Sequence, residues 1–173
     1  MSIPKRNSSP GEVREGLRTF FVSASTDGKK ALFQVAENAT LLVSTIYSYR
    51  SQGKFSLHEF VVMKNHFHLL LTIDENMTIE RAVQFVKGGY SFRVKKELGK
   101  TFEVWQRGYS ESRVYDVASF EKHRNYIHQN PVKAGLADRP ELFHYSSAFP
   151  GTDVDAAPPG LKPDNVDCLS ARP

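Results

Sequence analysis

The stretch that decides the fold is Met63-Lys64-Asn65-His66-Phe67-His68-Leu69-Leu70-Leu71-Thr72-Ile73. Apolar residues dominate it and nothing after Asn65 breaks the run, so it predicts a β-strand over residues 66–73. Side chains alternate between the faces of a strand. Phe67, Leu69, Leu71 and Ile73 therefore share an apolar face and belong against a core. His66, His68, Leu70 and Thr72 share the other face. The two imidazoles are then neighbours, roughly 6–7 Å apart at Cα, a spacing at which neutral imidazoles can hold one divalent metal. Two polar groups bonded to their surroundings at a strand end would look the same in sequence.

The strand has a partner just upstream. Residues 54–63 read as a second strand, and Lys64-Asn65 is a two-residue break of the kind that closes an antiparallel hairpin. His58 and Glu59 fall at the far end of that hairpin from Lys64-Asn65, so neither is given a metal role. Before the hairpin come a first strand, residues 17–25, a turn at Thr26-Asp27-Gly28 and a long helix over 29–52. Leu32, Val35, Ala36, Ala39, Leu42, Val43, Ile46 and Tyr47 mark that helix's apolar stripe, and Gly53 stops it.

After the hairpin, Thr78 can cap a helix over 79–98, with Gly99 as its stop and Ile79, Ala82, Val83, Val86 and Tyr90 as its buried stripe. Gly88-Gly89 inside it costs roughly 1 kcal/mol per glycine relative to alanine, which points to a close approach by another backbone or by a nucleic-acid strand. Lys87, Arg93, Lys95 and Lys96 form a basic run on the same helix, expected beside the histidines. A short strand, residues 110–115, precedes a third helix over 117–130, capped by Asp116 and ended by Pro131. Val117, Phe120, Arg124 and Ile127 trace one stripe of it. Tyr126 lies off that stripe, with Lys122 and Asn130 one turn away on its own face.

The order β-α-β-β-α-β-α makes an α+β fold, the ferredoxin-like split β-α-β plan with an added C-terminal helix. Right-handed crossovers put the first two helices on one sheet face, which leaves His66 and His68 projecting from the open one. Residues 1–16 are polar and carry Pro4, Pro10, Gly11 and Gly16; they read as a flexible arm. Residues 17–149 form the domain, and residues 150–173, with five prolines, few apolar residues and no period, read as a disordered tail.

Composition narrows the function. A length of 173 residues suits one domain with tails. Cys168 is the sole cysteine, which excludes a disulfide framework and a thiolate zinc site. No run approaches the ~18–20 apolar residues of a membrane span, so a soluble, cytoplasmic protein is expected. Four aspartates against one lysine and one arginine give residues 150–173 a net charge of −2, so the +4 of the whole chain leaves +6 on residues 1–149. A basic body suits a polyanionic partner.

The combined pattern resembles the single-tyrosine HUH transposases. The run from Met63 to Leu70 is similar to their His-hydrophobic-His strand. Asn125-Tyr126-Ile127-His128-Gln129-Asn130-Pro131-Val132-Lys133-Ala134-Gly135-Leu136 is similar to the catalytic helix and following turn of the REP-associated branch. Further likenesses lie in Ile79–Ala82, Lys87–Phe92, Val104–Tyr109 and Tyr145-Ser146-Ser147, so the resemblance spans residues 17–149.

It implies a nuclease and ligase for single-stranded or hairpin DNA. Tyr126 would be the nucleophile, leaving a 5′-phosphotyrosine and a free 3′-OH. His66, His68 and Asn130 would hold Mg²⁺ or Mn²⁺, with Gln129 the alternative amide. Lys64 stands where many relatives have proline. Lys87, Arg93, Lys95, Lys96 and Lys122 would contact phosphates. Tyr126 could complete its own site or that of a partner in a homodimer. A DNA-binding protein derived from such a transposase, no longer cutting, is the alternative. An RNA-binding ferredoxin-like module would want exposed aromatics on the central strands, where this chain has His66, His68, Leu70 and Thr72.

Overall fold

A computed structural model describes residues 16–163 of the chain. Four strands, β1 (Arg18–Ser25), β2 (Ser56–Val62), β3 (His66–Ile73) and β4 (Ser110–Val114), form one antiparallel sheet in the order β2-β3-β1-β4. Three α-helices accompany it: α1 (Ala36–Ser51), α2 (Ile79–Leu98) and α3 (Val117–Lys133). The α+β plan read from the sequence is therefore the plan of the molecule. No helix among the described residues is long and apolar enough to cross a membrane.

The β2–β3 hairpin closes as expected, with the Met63 N–H donating to the His66 carbonyl at 2.8 Å. The connection after β1 grips its turn: Thr26 N–H donates to the Asn65 carbonyl at 2.9 Å and Phe33 N–H to the Lys64 carbonyl at 2.9 Å. Phe67, Leu69, Leu71 and Ile73 are buried with Leu42, Ile46, Val83, Val86 and Tyr90, so α1 and α2 cover one sheet face. Thr78 caps α2 through its hydroxyl and Gly99 ends it in the left-handed region, φ +62°.

Four expectations change. The first helix does not start at Lys29. Gly28 and Lys29 take φ of +58° and +56°, left-handed values that a continuous helix cannot hold. Two short 3₁₀ turns, Asp27–Lys29 and Leu32–Gln34, fill the gap, and the buried stripe of α1 becomes Asn38, Ala39, Leu41, Leu42, Thr45 and Ile46. Pro131 does not end α3, which runs on to Lys133. Proline removes only one helical hydrogen bond, and here that loss falls in the last turn.

The face that carries the histidines is not open. Phe120 and Ile127 of α3 bury themselves on it with Val61, Met63, Leu70 and Val114, making a second core. Residues 150–163, expected to be disordered, are held against the body. Asp155 N–H donates to the Leu57 carbonyl at 2.7 Å, Lys162 N–H to the Tyr115 carbonyl at 3.0 Å, and Val117 N–H to the Lys162 carbonyl at 3.1 Å. Arg50 pairs with Asp153 at 2.9 Å and Asp155 at 2.8 Å. A segment poor in apolar residues is ordered here by backbone bonds and ion pairs, which composition does not register. Residues 1–15 of the expected arm and 164–173 of the expected tail lie outside the described residues.

Candidate functional site

The site forms at the end of the sheet where β1 finishes and β3 begins, since Ser25 pairs with His66 and Ser23 with His68. The two imidazoles, two residues apart on one strand face, have ring centroids 4.9 Å apart. His66 is half-buried, and its Nδ1 donates to the Asn65 side-chain oxygen at 2.8 Å. That amide is oriented by its own donation to the Lys29 carbonyl at 3.2 Å. This assignment puts the His66 proton on Nδ1 and leaves a lone pair on Nε2.

His68 is 5% exposed, and neither of its ring nitrogens has a hydrogen-bond partner. Burial, then the neighbouring His66, pushes its pKa down to about 3, and burial followed by Lys29 lowers that of His66. Both imidazoles are thus held neutral, the form that can donate a lone pair to a cation.

Helix α3 brings the remaining groups. Asp116 caps it by accepting from Ser119 N–H at 2.7 Å. Its apolar anchors, Phe120 and Ile127, fix which side faces the sheet. Tyr126 lands with its ring 5.2 Å from that of His68, edge to face at 73°, and is 43% exposed. Phe21 of β1 stacks on His68 at 5.2 Å and also touches Tyr126 and His123, at 5.8 and 4.5 Å. The Lys133 ammonium lies 5.9 Å from the centre of the Tyr126 ring. Asn130, one turn beyond Tyr126, is half-buried, whereas Gln129 is exposed.

The buried, unpartnered nitrogens of His68 beside the free lone pair of His66 fit a divalent metal. No group of three or more His, Cys, Asp or Glu that could hold a metal occurs among the described residues.

The basic residues are spread differently from expectation. Helix α2 lies on the opposite side of the sheet from the histidines, because its apolar stripe packs into the first core. Lys87 is drawn to the loop before β4, donating to the carbonyls of Gln106 at 3.1 Å and Gly108 at 2.7 Å. That loop joins the histidine end of the sheet through Gln106 N–H to the Ser25 carbonyl at 2.9 Å. Arg93 pairs with Glu97 and donates to Ser44 and Thr45. Lys95, Lys96 and Lys122 are exposed. At Gly89 the close protein neighbour is a side chain and not another backbone: an added Cβ would meet the Tyr49 ring at 2.5 Å, while at Gly88 it would meet nothing within 4 Å.

Sequence reasoning passed over Phe21, His123, Lys133 and Glu59. The carboxylate of Glu59 accepts from Arg124 and His128 of α3, at 3.0 and 2.7 Å. An acid inside the apolar run Leu57–Met63 was the available signal, since a buried carboxylate requires partners.

Residues 22–130 match the family model described as "Transposase IS200 like". A Haemophilus influenzae Rd protein described as uncharacterized is 24% identical over 144 residues, covering 65% of this chain and 79% of the relative. A solved REP-associated tyrosine transposase bound to a REP hairpin shares the fold with a TM-score of 0.67 at 18% identity, covering 82% of each chain. A putative transposase from Deinococcus radiodurans gives 0.48 at 19% identity, covering 70% of this chain and 95% of that one. The family match takes in well over half of the chain, including His66, His68, Tyr126 and Asn130. The chain belongs to the IS200-like transposase family.

Proposed function

We propose that this IS200-like transposase is a metal-dependent single-stranded DNA nuclease and strand transferase of the REP-associated branch. It would act in the cytoplasm, cutting at hairpin-associated sites through a 5′-phosphotyrosine intermediate. The observation that carries the reading is the 5.2 Å approach of the Tyr126 ring to His68, a buried imidazole with both nitrogens unpartnered. The approach is made within one chain, which supports Tyr126 acting beside the histidines of its own copy.

His66, His68 and Asn130 would hold Mg²⁺ or Mn²⁺, which when bound neutralises charge on the non-bridging oxygens of the scissile phosphate. The half-burial of Asn130 against the exposure of Gln129 supports Asn130 as the amide ligand. The Tyr126 phenol oxygen forms the new bond to phosphorus and gives up its proton. The O3′–P bond breaks, and the departing 3′ oxygen takes a proton to become a free hydroxyl. Rejoining reverses the exchange, with a 3′-OH attacking the phosphotyrosine and restoring the phenol. The energy of the cut bond is kept in the tyrosyl ester, so no nucleotide cofactor is required.

Phe21 packs against the His68 and Tyr126 rings and keeps their relative tilt. The structural relative was solved on a REP hairpin, which supports hairpin DNA as this chain's substrate class. Exposed Lys95, Lys96 and Lys122, together with Lys87 and Arg93, would meet its phosphates.

The test is covalent trapping. Wild type is incubated with an end-labelled oligonucleotide carrying a hairpin and a single-stranded flank, with Mn²⁺ or Mg²⁺, and then denatured. Wild type gives a protein–DNA adduct. Tyr126→Phe gives none while still binding the hairpin, and the His66→Ala/His68→Ala pair gives none while remaining folded. An adduct that survives in Tyr126→Phe overturns the assignment, and hairpin binding without any adduct from wild type favours a non-cutting DNA-binding protein.

A further inference from the structure

We propose that Glu59 is a positioning residue for Tyr126, clamping the back of helix α3 so that the tyrosine is turned toward His68. The inference rests on the nucleophile role proposed above.

Glu59 lies on β2 just after the register shift between Leu57 and Glu59, and is 6% exposed. Both of its carboxylate oxygens accept from neighbours. One carboxylate oxygen accepts from Arg124 Nε at 3.0 Å. The other accepts from His128 Nε2 at 2.7 Å and from Ser147 Oγ at 2.5 Å. Ser147 is itself fixed to β2, its N–H donating to the Phe60 carbonyl at 2.9 Å. The carboxylate is therefore anchored to the sheet on one side and to the helix on the other.

The spacing gives the clamp its meaning. Arg124 and His128 stand two residues before and two after Tyr126. At 3.6 residues per turn, a step of two places a side chain on the reverse of the helix from Tyr126. One carboxylate holding two donors four residues apart resists both rotation of the helix about its axis and sliding along it. The apolar anchors Phe120 and Ile127 hold α3 to the sheet, but apolar packing has no direction of its own. Charge-assisted hydrogen bonds do.

Burial acting alone would raise the Glu59 pKa. The bonds from His128 and Ser147, then the charges of His128 and Arg124, overcome it and hold the carboxyl below its usual value. A buried ionised carboxylate is an expensive way to attach a helix that already has apolar anchors. Orientation is what it adds. Nor does the cluster make a serine–histidine pair, because the Glu59 carboxylate stands between Ser147 and His128 and takes the serine proton's hydrogen bond itself.

The experiment compares Glu59→Gln and Arg124→Gln with wild type by three readouts. These are the single-turnover rate of adduct formation at saturating hairpin DNA, the hairpin Kd, and the ¹⁹F NMR signal of Tyr126 in protein labelled with 3-fluorotyrosine. The Tyr126 resonance is the one lost in Tyr126→Phe, and the other six tyrosines serve as controls. In each variant the adduct rate falls about 10- to 100-fold, the scale on which small misplacements act. Kd stays within about twofold. The Tyr126 signal shifts or broadens while the others hold. Combining the two substitutions adds little, since both release the same restraint.

Arg124→Gln keeps the test available if Glu59→Gln does not fold, because the Arg124 side chain is 46% exposed. An unchanged rate with an unmoved Tyr126 signal in a folded variant overturns the clamp. So does a loss of rate matched by an equal loss of DNA affinity. A Tyr126 signal that moves in the variants while wild type forms no adduct upholds the clamp and removes the nucleophile role instead.

Discussion

Replacing His68 with leucine should stabilise the metal-free protein and destroy its response to metal. His68 is 5% exposed with both ring nitrogens unpartnered, and a buried polar group left unpaired costs about 1–3 kcal/mol. Leucine removes that cost. It also gives up the ring contacts with Phe21 and Tyr126, each worth about 0.5–1.5 kcal/mol beyond area. The ring contact with His66 is lost as well, and the balance for two nitrogens against three ring contacts is about 1 kcal/mol in favour of the variant, or about 2–4 °C in Tm for a chain of this size. In Mn²⁺ at about 100 times its Kd, wild type gains about 2.7 kcal/mol and the variant gains nothing. Urea unfolding in EDTA and then in Mn²⁺ should therefore rank the two proteins in opposite orders. A variant less stable than wild type in EDTA with an unchanged m-value refutes the reasoning, as does an equal Mn²⁺ shift in both.

Adjacent glycines should respond oppositely to alanine. Gly88→Ala stabilises by up to about 1 kcal/mol in urea unfolding, whereas in Gly89→Ala the new Cβ meets the Tyr49 ring at 2.5 Å and overpacking of about 1–3 kcal/mol dominates. Two stabilised proteins would show that Tyr49 yields freely. The Asp155 carboxyl is held below the usual carboxylate range chiefly by its bonds to Arg50, so it contributes stability above its unfolded pKa and loses it as pH falls through the folded value. Asp155→Asn should accordingly melt below wild type at neutral pH, with the gap closing in acid; a gap independent of pH counts against the ion pair. For DNA, alanine at a true phosphate contact among Lys95, Lys96 and Lys122 lowers the log–log salt slope of hairpin affinity by about 0.7–0.9. Slopes identical to wild type at all three would move the contact surface elsewhere.

Much of this fold is written locally. The β3 strand announces itself by alternation, and α2 by a threonine cap, a period and a terminal glycine. These signals survive because the elements they mark are stabilised by the same residues that predict them. The start of α1 was hidden because the amide of Phe33 is claimed by the carbonyl of Lys64, thirty-one residues away in sequence. The order in residues 150–163 was hidden for the same reason: Arg50, Leu57 and Tyr115 supply the partners. A proline inside α3 misled because its cost depends on position in the helix, and Pro131 falls in the last turn.

The candidate site divides along the same line. His66 and His68 share a strand face by a rule that needs only their spacing. Their meeting with Tyr126 does not follow from any spacing, because it is made by Phe120 and Ile127 burying themselves on Val61, Met63 and Leu70. The alternation that exposed the histidine pair also made their face look open, when Leu70 between His68 and Thr72 already marked it as partly apolar. Glu59 was set aside for lying far from the Lys64-Asn65 turn, a distance measured along the strand. Across the sheet it sits beneath α3, and the helix that delivers Tyr126 is the one it binds. Phe21 joins the two halves: a residue of β1, it packs among His68, His123 and Tyr126. Its place there means that any change in how α3 lies on the sheet reaches the His68–Tyr126 pair through direct ring contacts.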